Sequence, residues 1–282
     1  DRVRKRPGVI CGSDVLEGCE HSVFEIVSNS IDEAKEGYGK VIEVTRYNDM
    51  SIEIKDFGRG IPLDWNPKEE KYNWELVFCE LYAGGKYDKE ADGNYGYAIG
   101  LNGLGLCATQ YSAEYMNVTV NRDGYEHTLY FEKGENVGGL YKEEKKYRST
   151  GTTIKWRPDL QVFTDINIPV EFFIDSLKRQ AVVNAGLTFK LTYHNGSETE
   201  KYEFRYDNGI VDYINELCPE NEKRISNTSF CEGESMGRDR EDMKDYKVKL
   251  SAAFAFSNDV QFIEYYHNSS YLEHGGAPDK AA

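Results

Sequence analysis

The chain has 282 residues, a hydrophobic content of 39% and a formal net charge of −15 at pH 7. This length and hydrophobicity are sufficient for one well-packed core and part of a second. Affinity for DNA comes mainly from Lys and Arg side chains that meet phosphates, so the acidic balance argues against broad DNA binding by this chain. Apolar runs stay well below the roughly 18 residues that a membrane span needs, so we expect neither a membrane span nor a signal peptide. The six Cys form no C-x-x-C pair, and we expect a cytoplasmic protein with reduced thiols.

The first predicted element is an amphipathic helix over residues 22–35. Four apolar residues recur at spacings of three and four and therefore share one helix face: Phe24, Val27, Ile31 and Ala34. Glu25, Asn29 and Asp32 converge within about 60° on the opposite face. The helix is therefore expected to present a polar site above an apolar base.

A β-hairpin is predicted next, over residues 41–56 with its turn at 47–49. The second strand ends at Asp56, and Gly58 and Gly60 follow. These glycines let the backbone turn tightly beside a ligand.

A glycine-rich segment follows a short predicted helix at 76–82. Residues 83–105 hold seven glycines, which is too many for a packed element. We therefore predict a mobile lid, leading to a helix that begins near Gly103.

Four further strands are predicted, with Asn121-Arg122-Asp123-Gly124 as the hairpin turn between the first two. They lie at 116–120, 126–132, 139–142 and 152–156. A helix is predicted at 170–184, followed by a hairpin with strands at 187–193 and 200–205.

The composition changes after about residue 208, and a polar, charge-mixed segment occupies 219–245. The predicted elements of this part are a helix at 210–217 and a hairpin with strands at 247–256 and 260–266. We place one domain at 1–206 and the beginning of a second, incomplete one at 207–282. Because the chain also begins without Met, we expect it to be part of a longer protein.

Four short motifs suit the binding of a single nucleotide. They are Glu25-x-x-x-Asn29-x-x-Asp32-Glu33-Ala34, Asp56-Phe57-Gly58-Arg59-Gly60-Ile61-Pro62, Gly100-Leu101-Asn102-Gly103-Leu104-Gly105 and Gly151-Thr152-Thr153. Together they supply a water-activating carboxylate, a magnesium ligand, a base-reading carboxylate and a phosphate cradle. This combination indicates an ATP site without a P-loop.

Glu25 is the candidate general base, which would orient and deprotonate the water that attacks the γ-phosphate. An exposed helix Glu is the ordinary alternative, but the spacing to Asn29 favours the catalytic interpretation. The Asn29 amide oxygen can complete the coordination of a Mg²⁺ held mainly by phosphates and water.

Asp56 is the candidate acceptor for the exocyclic amine of adenine. A turn-forming Asp before Gly is the alternative, and the glycines that follow favour a ligand. Residues 59–62 are expected to form a wall of the pocket for the base. Thr152 is expected to share a bound water with Asp56.

The motif at 100–105 could be mistaken for a dinucleotide fingerprint, but that fingerprint follows a first β-strand. Here it follows the glycine-rich segment, so a phosphate cradle at a helix N-terminus is the better interpretation. Lys86 is placed to reach phosphate, or else is a solvated lysine. The five His show no metal-ligand spacing, and this chemistry requires none of them.

These motifs resemble those of the GHKL family of ATPases. The resemblance is narrowed by four further motifs, which are Arg4-Lys5-Arg6-Pro7-Gly8, His21-x-x-Phe24-Glu25, Leu81-Tyr82-Ala83-Gly84-Gly85-Lys86-Tyr87-Asp88 and Gly151-Thr152-Thr153-x-x-x-Trp156-x-Pro158. They are similar to the B subunits of bacterial type II DNA topoisomerases, gyrase and topoisomerase IV, from about residue 2 to the end. Ser28 departs from the family, which usually has an acidic residue there.

The resemblance implies an α+β fold: a two-layer α/β sandwich of the GHKL (Bergerat) type over 1–206, then the start of an S5-like transducer domain. It assigns the general base to Glu25, Mg²⁺ to Asn29 and adenine to Asp56. It assigns further nucleotide contacts to Glu33, Arg59, Gly60, Ile61, Pro62, Lys86, Tyr95, Gly100, Leu101, Asn102, Gly103, Leu104, Gly105 and Thr152.

The resemblance also implies partners and an inhibitor. Arg122 and Ile154 would line an aminocoumarin pocket, and the N-terminus would supply an arm that crosses a dimer. Two subunits would dimerise when ATP is bound and close over DNA, working with the A-type subunit, whereas this chain alone would be monomeric. Another GHKL enzyme, similar to MutL or Hsp90, and a nucleotide-binding module without turnover are the alternatives. Gyrase and topoisomerase IV are equal possibilities.

Overall fold

The computed structural model describes residues 2–81, 105–221, 223–238 and 245–281. These residues divide into two compact units. The first comprises 2–81, 105–177 and 188–204, and the second the described parts of 178–187 and 205–281. The boundary near residue 206 stays a prediction. Within the described ranges, no helix combines the length and apolar character that a membrane span requires.

The first unit contains the helices and strands that carry the predicted motifs. Its helices are α1 (Arg2–Lys5), α2 (Pro7–Ile10), α3 (Leu16–Lys35), α4 (Asn73–Phe78), α5 (Gly105–Tyr111) and the first part of α6 (Val170–Val183). Its strands are β1 (Val41–Arg46), β2 (Ile52–Asp56), β3 (Trp65–Asn66), β4 (Lys71–Tyr72), β5 (Ala113–Arg122), β6 (Tyr125–Glu132), β7 (Glu135–Glu144), β8 (Gly151–Pro158), β9 (Thr188–Asn195) and β10 (Glu198–Arg205).

Eight strands form one sheet in the order β10-β9-β1-β2-β8-β5-β6-β7. β1 and β9 pair in parallel, whereas the neighbours from β1 through β2, β8, β5 and β6 to β7 are antiparallel. Burial alternates along β1 and β8, as expected when one sheet face is covered by helices. α3 packs on β1, β2 and β8 and against α5, so this unit has a helix layer on a sheet layer.

α3 is longer than the sequence predicts, because it begins at Leu16 rather than at residue 22. Gly18 and Cys19 are buried in its first turns, and a Cβ at Gly18 would overlap the Ser13 carbonyl. Close packing therefore extends the helix through residues of low helix propensity.

The turn between β5 and β6 is a predicted feature that the structure contains. Asp123 and Gly124 have φ values of 52° and 83°, the left-handed pair that a type I′ hairpin turn requires. Asn121 and Arg122 belong to the end of β5.

The N-terminal helices α1 and α2 pack on their own chain. Val3 is buried, and Arg4 Nη1 donates to the carbonyl oxygens of Tyr111 and Ala113 at 3.3 and 3.1 Å. Arg4 also forms an ion pair with Asp159. The dimer-crossing arm that the resemblance implies for the N-terminus stays a prediction.

The second unit contains the end of α6 and six further short elements. They are α7 (Ile210–Leu217), β11 (Ser229–Gly237), β12 (Tyr246–Phe254), β13 (Tyr266–His267), β14 (Ser270–Tyr271) and α8 (Gly276–Ala281). β12 pairs antiparallel with β11, so the predicted hairpin between 247–256 and 260–266 is wrong. The residues of β11 are exposed on both faces except Gly237, which leaves no alternating pattern from which to predict the strand.

Candidate functional site

A direct hydrogen bond joins the polar face of α3 to the end of β2. The Ser30 hydroxyl donates to Asp56 Oδ2 at 3.1 Å. Because Glu25 and Asn29 lie on the same helix, this bond brings three predicted site residues to one place. Sequence reasoning missed Ser30, whose only signal is its position next to Asn29 in the first motif.

Asp56 is held by backbone donors from two segments that follow it in the sequence. The N–H groups of Gly58 and Thr152 donate to Oδ1 at 3.0 and 3.1 Å. Burial raises the pKa of the carboxyl, and these N–H bonds and the Ser30 bond partly oppose that effect. Oδ1 thus accepts both backbone hydrogen bonds. Oδ2 accepts the Ser30 hydroxyl and can still accept a further hydrogen bond.

Thr152 lies against Asp56 because of the residue before it. Gly151 has a φ of 146°, and a Cβ at this position would overlap the Asp56 carbonyl oxygen. The Thr152 N–H therefore reaches Asp56 directly, and the Thr152 hydroxyl accepts the Ile61 N–H at 3.1 Å. The water that we expected Thr152 and Asp56 to share stays a prediction beside this direct bond.

Glu33 and Arg59, both predicted to contact the nucleotide, bind each other. Arg59 Nε and Nη2 donate to the two Glu33 oxygens at 2.9 Å, and the Arg59 N–H donates at 2.7 Å. Burial would raise the pKa of Glu33, but the hydrogen bonds and charge of Arg59 hold it below its ordinary value. The Arg59 guanidinium also covers the Tyr38 ring at 4.0 Å, so this pair fastens the segment after β2 to the end of α3.

Glu25 lies in a partly buried position with two charged neighbours. Its side chain is 25% exposed, and its Oε1 is 3.4 Å from His21 Nε2. Burial raises the pKa of Glu25, protonated His21 lowers it, and Asp32 raises it. A Cβ at Gly105 would overlap the Glu25 carboxylate, so a larger residue at the start of α5 would have to displace that side chain.

Asn29 is oriented by its own helix. Its Nδ2 donates to the Glu25 carbonyl at 2.6 Å, which leaves Oδ1 as the amide atom able to bind a cation. Buried Ser28, at the position where the resemblance implies an acid, donates to the same carbonyl at 3.0 Å. The two side chains that bind this carbonyl are therefore both uncharged.

The two residues predicted to line an inhibitor pocket have different environments. Arg122 Nη1 donates to the Gly60 carbonyl at 2.7 Å, and its Nε donates to Asp123 at 3.1 Å. Gly60 has a φ of 84°, and a Cβ there would lie 2.8 Å from Val120 Cγ1. Ile154 is buried in the sheet, whereas Arg122 is partly exposed beside the segment of Gly60, Ile61 and Pro62.

Several predicted contacts fall outside the described residues. They are Lys86, Tyr95, Gly100, Leu101, Asn102, Gly103 and Leu104. Their assignments to phosphate and ribose stay predictions.

Comparisons with known proteins identify the family to which this chain is similar. The family model described as "Histidine kinase-, DNA gyrase B-, and HSP90-like ATPase" matches residues 15–162. The DNA gyrase B subunit of Thermotoga maritima is 36% identical over 76% of this chain and 33% of its own length. The DNA topoisomerase 4 B subunit of Enterococcus faecalis is 35% identical over 76% of this chain and 31% of its own length. The chain thus spans about a third of the length of these curated relatives.

A solved structure shares the fold. The 43K ATPase domain of Thermus thermophilus gyrase B, in complex with an aminocoumarin, matches with a TM-score of 0.69 and 26% identity. The match covers 82% of this chain and 58% of the other. The α+β, two-layer class is therefore confirmed, and the S5-like character of the second unit stays a prediction. The chain belongs to the histidine kinase-, DNA gyrase B- and HSP90-like family of ATPases.

Proposed function

We propose that this chain binds ATP together with Mg²⁺ and hydrolyses it at the site formed by α3, β2 and β8. The observation that carries the proposal is the Ser30–Asp56 hydrogen bond of 3.1 Å. It joins the helix that bears Glu25 and Asn29 to the carboxylate suited to read a base. Asp56 Oδ2 retains acceptor capacity for the exocyclic amine of adenine, which carries N–H donors that a keto group at the same position lacks.

The site also fits a Mg²⁺ ion whose coordination comes mostly from the phosphates of the nucleotide and from water. Within the described residues, no group of three or more His, Cys, Asp or Glu could hold a metal ion. Mg²⁺ needs only one or two protein ligands when phosphates and waters supply the rest, and Asn29 Oδ1 provides one. Mg²⁺, when bound, supplies neutralisation of phosphate charge.

Glu25 then acts on the attacking water. A carboxylate with a raised pKa is a better proton acceptor near neutral pH than an ordinary Glu. Gly105 permits α5 to approach this carboxylate closely, which limits the positions that the side chain can adopt.

The simplest test measures ATP binding by calorimetry with and without Mg²⁺. We expect saturable binding that strengthens when Mg²⁺ is present. A folded chain, judged by its unfolding transition, that binds no ATP under either condition would contradict the proposal.

For the longer protein, we propose a role as the B subunit of a bacterial type II topoisomerase. It would work with the A-type subunit and DNA in the cytoplasm, and two copies would dimerise when ATP is bound. The similarity to gyrase and topoisomerase IV B subunits supports this assignment. Reconstitution with an A-type subunit tests it: supercoiling indicates gyrase, preferential decatenation indicates topoisomerase IV, and neither activity contradicts it.

We expect ATP hydrolysis to be lost on acidification. The acid limb of the rate profile should lie at a higher pH than it would for a glutamate of ordinary pKa. The base acts only when deprotonated, and burial raises the pKa of Glu25. Removing the positive charge in His21→Gln should move this acid limb to higher pH, because protonated His21 lowers that pKa. Asp32→Asn should move it to lower pH, because Asp32 raises it. pH profiles of kcat check both directions, and an identical limb in all three proteins would contradict Glu25 as the base.

We expect aminocoumarins to compete with ATP, and Arg122→His to weaken their binding more than that of ATP. The Arg122 side chain is 32% exposed and holds the Gly60 carbonyl at the edge of the site, so it can contact a ligand larger than the base. Asp123→Asn is the control, since it alters the Arg122 neighbour and keeps the guanidinium. Competition calorimetry gives both affinities. Equal losses for the two ligands would mean that Arg122 only shapes the segment around Gly60.

A further inference from the structure

His127 is buried in the sheet with its ring nitrogens unsatisfied. Its side chain is 3% exposed, and neither ring nitrogen has a hydrogen-bond partner among the described residues. Buried polar atoms that lack a partner destabilise a fold, and an apolar ring of similar size would avoid this cost. The imidazole at this position therefore suggests a role other than core packing.

The carboxylate of Asp64 lies close to His127. His127 Nε2 is 3.7 Å from Asp64 Oδ1, so a shift of about 1 Å gives a hydrogen bond of ordinary length. Lys142 Nζ already contacts the same oxygen at 3.0 Å and covers the Tyr125 ring at 4.4 Å. We call Asp64, His127 and Lys142 the Asp64 cluster.

Sheet register connects the Asp64 cluster to the candidate site. Thr152 pairs with Val120, Val120 with His127, and His127 with Lys142. Residues paired across antiparallel strands project from the same face. These four residues therefore form one row across β8, β5, β6 and β7, with Thr152, which contacts Asp56, at one end.

The segment 56–64 contacts each member of this row. The Ile61 N–H donates to Thr152, Gly60 lies against Val120, and Asp64 reaches His127 and Lys142. The proposed base-binding segment is thus fastened at its start by Asp56 and at its end by the Asp64 cluster.

We propose that His127 is a positioning residue for the nucleotide base, acting through Asp64 to fix the far end of segment 56–64. The proposal rests on the proposed ATP site. His127 touches no reacting atom in this role. It determines where Gly60, Ile61 and Pro62 lie relative to Asp56, and therefore how well the adenine pocket is formed before ligand arrives.

The test compares ADP affinity with fold stability in His127→Phe. Phe removes the two unsatisfied nitrogens, so the unfolding temperature should stay the same or rise. ADP affinity should nevertheless fall about tenfold, equivalent to about 1.4 kcal/mol. His194→Phe, in which the replaced ring stacks on Tyr47, is the matched control and should leave ADP affinity unchanged.

Asp64→Asn provides the second arm, because Asp64 is half-exposed and its replacement leaves the core intact. It should weaken ADP binding at least as much as His127→Phe does. The double variant should bind no more weakly than Asp64→Asn alone, since both changes release the same end of the segment. In the parent, the ¹⁵N resonances of the His127 ring should move when ADP binds, whereas those of His194 should not.

The outcomes separate this proposal from the one on which it rests. Failure of the parent to bind ADP would overturn the ATP site itself. ADP binding by the parent with unchanged affinity in a stably folded His127→Phe would overturn the positioning role alone. Additive losses in the double variant would also overturn it, because the two residues would then act independently.

Discussion

Glu25→Gln should abolish ATP hydrolysis while leaving ATP affinity nearly unchanged. A positioned general base contributes about 100- to 10,000-fold to such a reaction, and glutamine keeps the size of the side chain but accepts no proton. Affinity is preserved because Glu25 acts on water rather than on the nucleotide. Steady-state hydrolysis and calorimetry on the same preparations check the two parts.

Glu20→Gln is the matched control for that experiment. Glu20 lies on the same helix, and its pKa is likewise raised, first by burial and then by Glu17, but it has no place in the site. We expect this variant to hydrolyse ATP at the parental rate. Glu25→Gln with a rate within about threefold of the parent would remove Glu25 from the role of base.

The parts of the site that the sequence predicts are those that depend on local geometry. Glu25 and Asn29 share a helix face by simple periodicity, and Asp56 ends a strand whose alternation is clear. The Asp123-Gly124 turn likewise follows from the conformations that these residues favour. In each case a few neighbouring residues are sufficient.

Most of the features that sequence reasoning missed depend on contacts between distant segments. In the sequence, Ser30 is an ordinary helix residue. Its contact with Asp56 exists only because the fold places the end of β2 beside α3. Metal-ligand spacing singles out none of the five His, yet His21 lies beside Glu25 and His127 lies beside Asp64. The first contact is accessible from sequence, because a spacing of four residues on a helix brings two side chains together. The second is not, since only the register of β5 with β6 and the course of segment 56–64 create it.

The strand β11 was not predicted, for a related reason. A strand of a two-stranded ribbon that is exposed on both faces carries no alternation of apolar and polar residues. Its pairing with β12 therefore cannot be predicted from pattern, and the nearer segment at 260–266 fits a hairpin pattern better.

Asp56→Asn should weaken the binding of ATP and ADP strongly while the fold is retained. Oδ1 accepts two backbone N–H groups, so the amide oxygen of the substituted side chain should occupy that position. The NH₂ group then replaces Oδ2, where the Ser30 hydroxyl can rotate to accept from it. The adenine amine, in contrast, would meet a donor instead of an acceptor. Loss of such a charge-assisted bond costs about 1.5–3 kcal/mol, a reduction in affinity of roughly 10- to 150-fold.

Two controls make the Asp56→Asn experiment specific. Asp49→Asn makes the same exchange in the turn before β2 and should leave ADP affinity unchanged. Ser30→Ala removes one donor to Oδ2 but leaves the carboxylate in place, so its effect on affinity should be much smaller than that of Asp56→Asn. Calorimetry with ADP gives the affinities, and thermal unfolding shows whether each variant is folded. If Asp56→Asn is folded and binds ADP as tightly as the parent, the carboxylate does not read the base, and its hydrogen bonds to Gly58, Thr152 and Ser30 serve the fold alone.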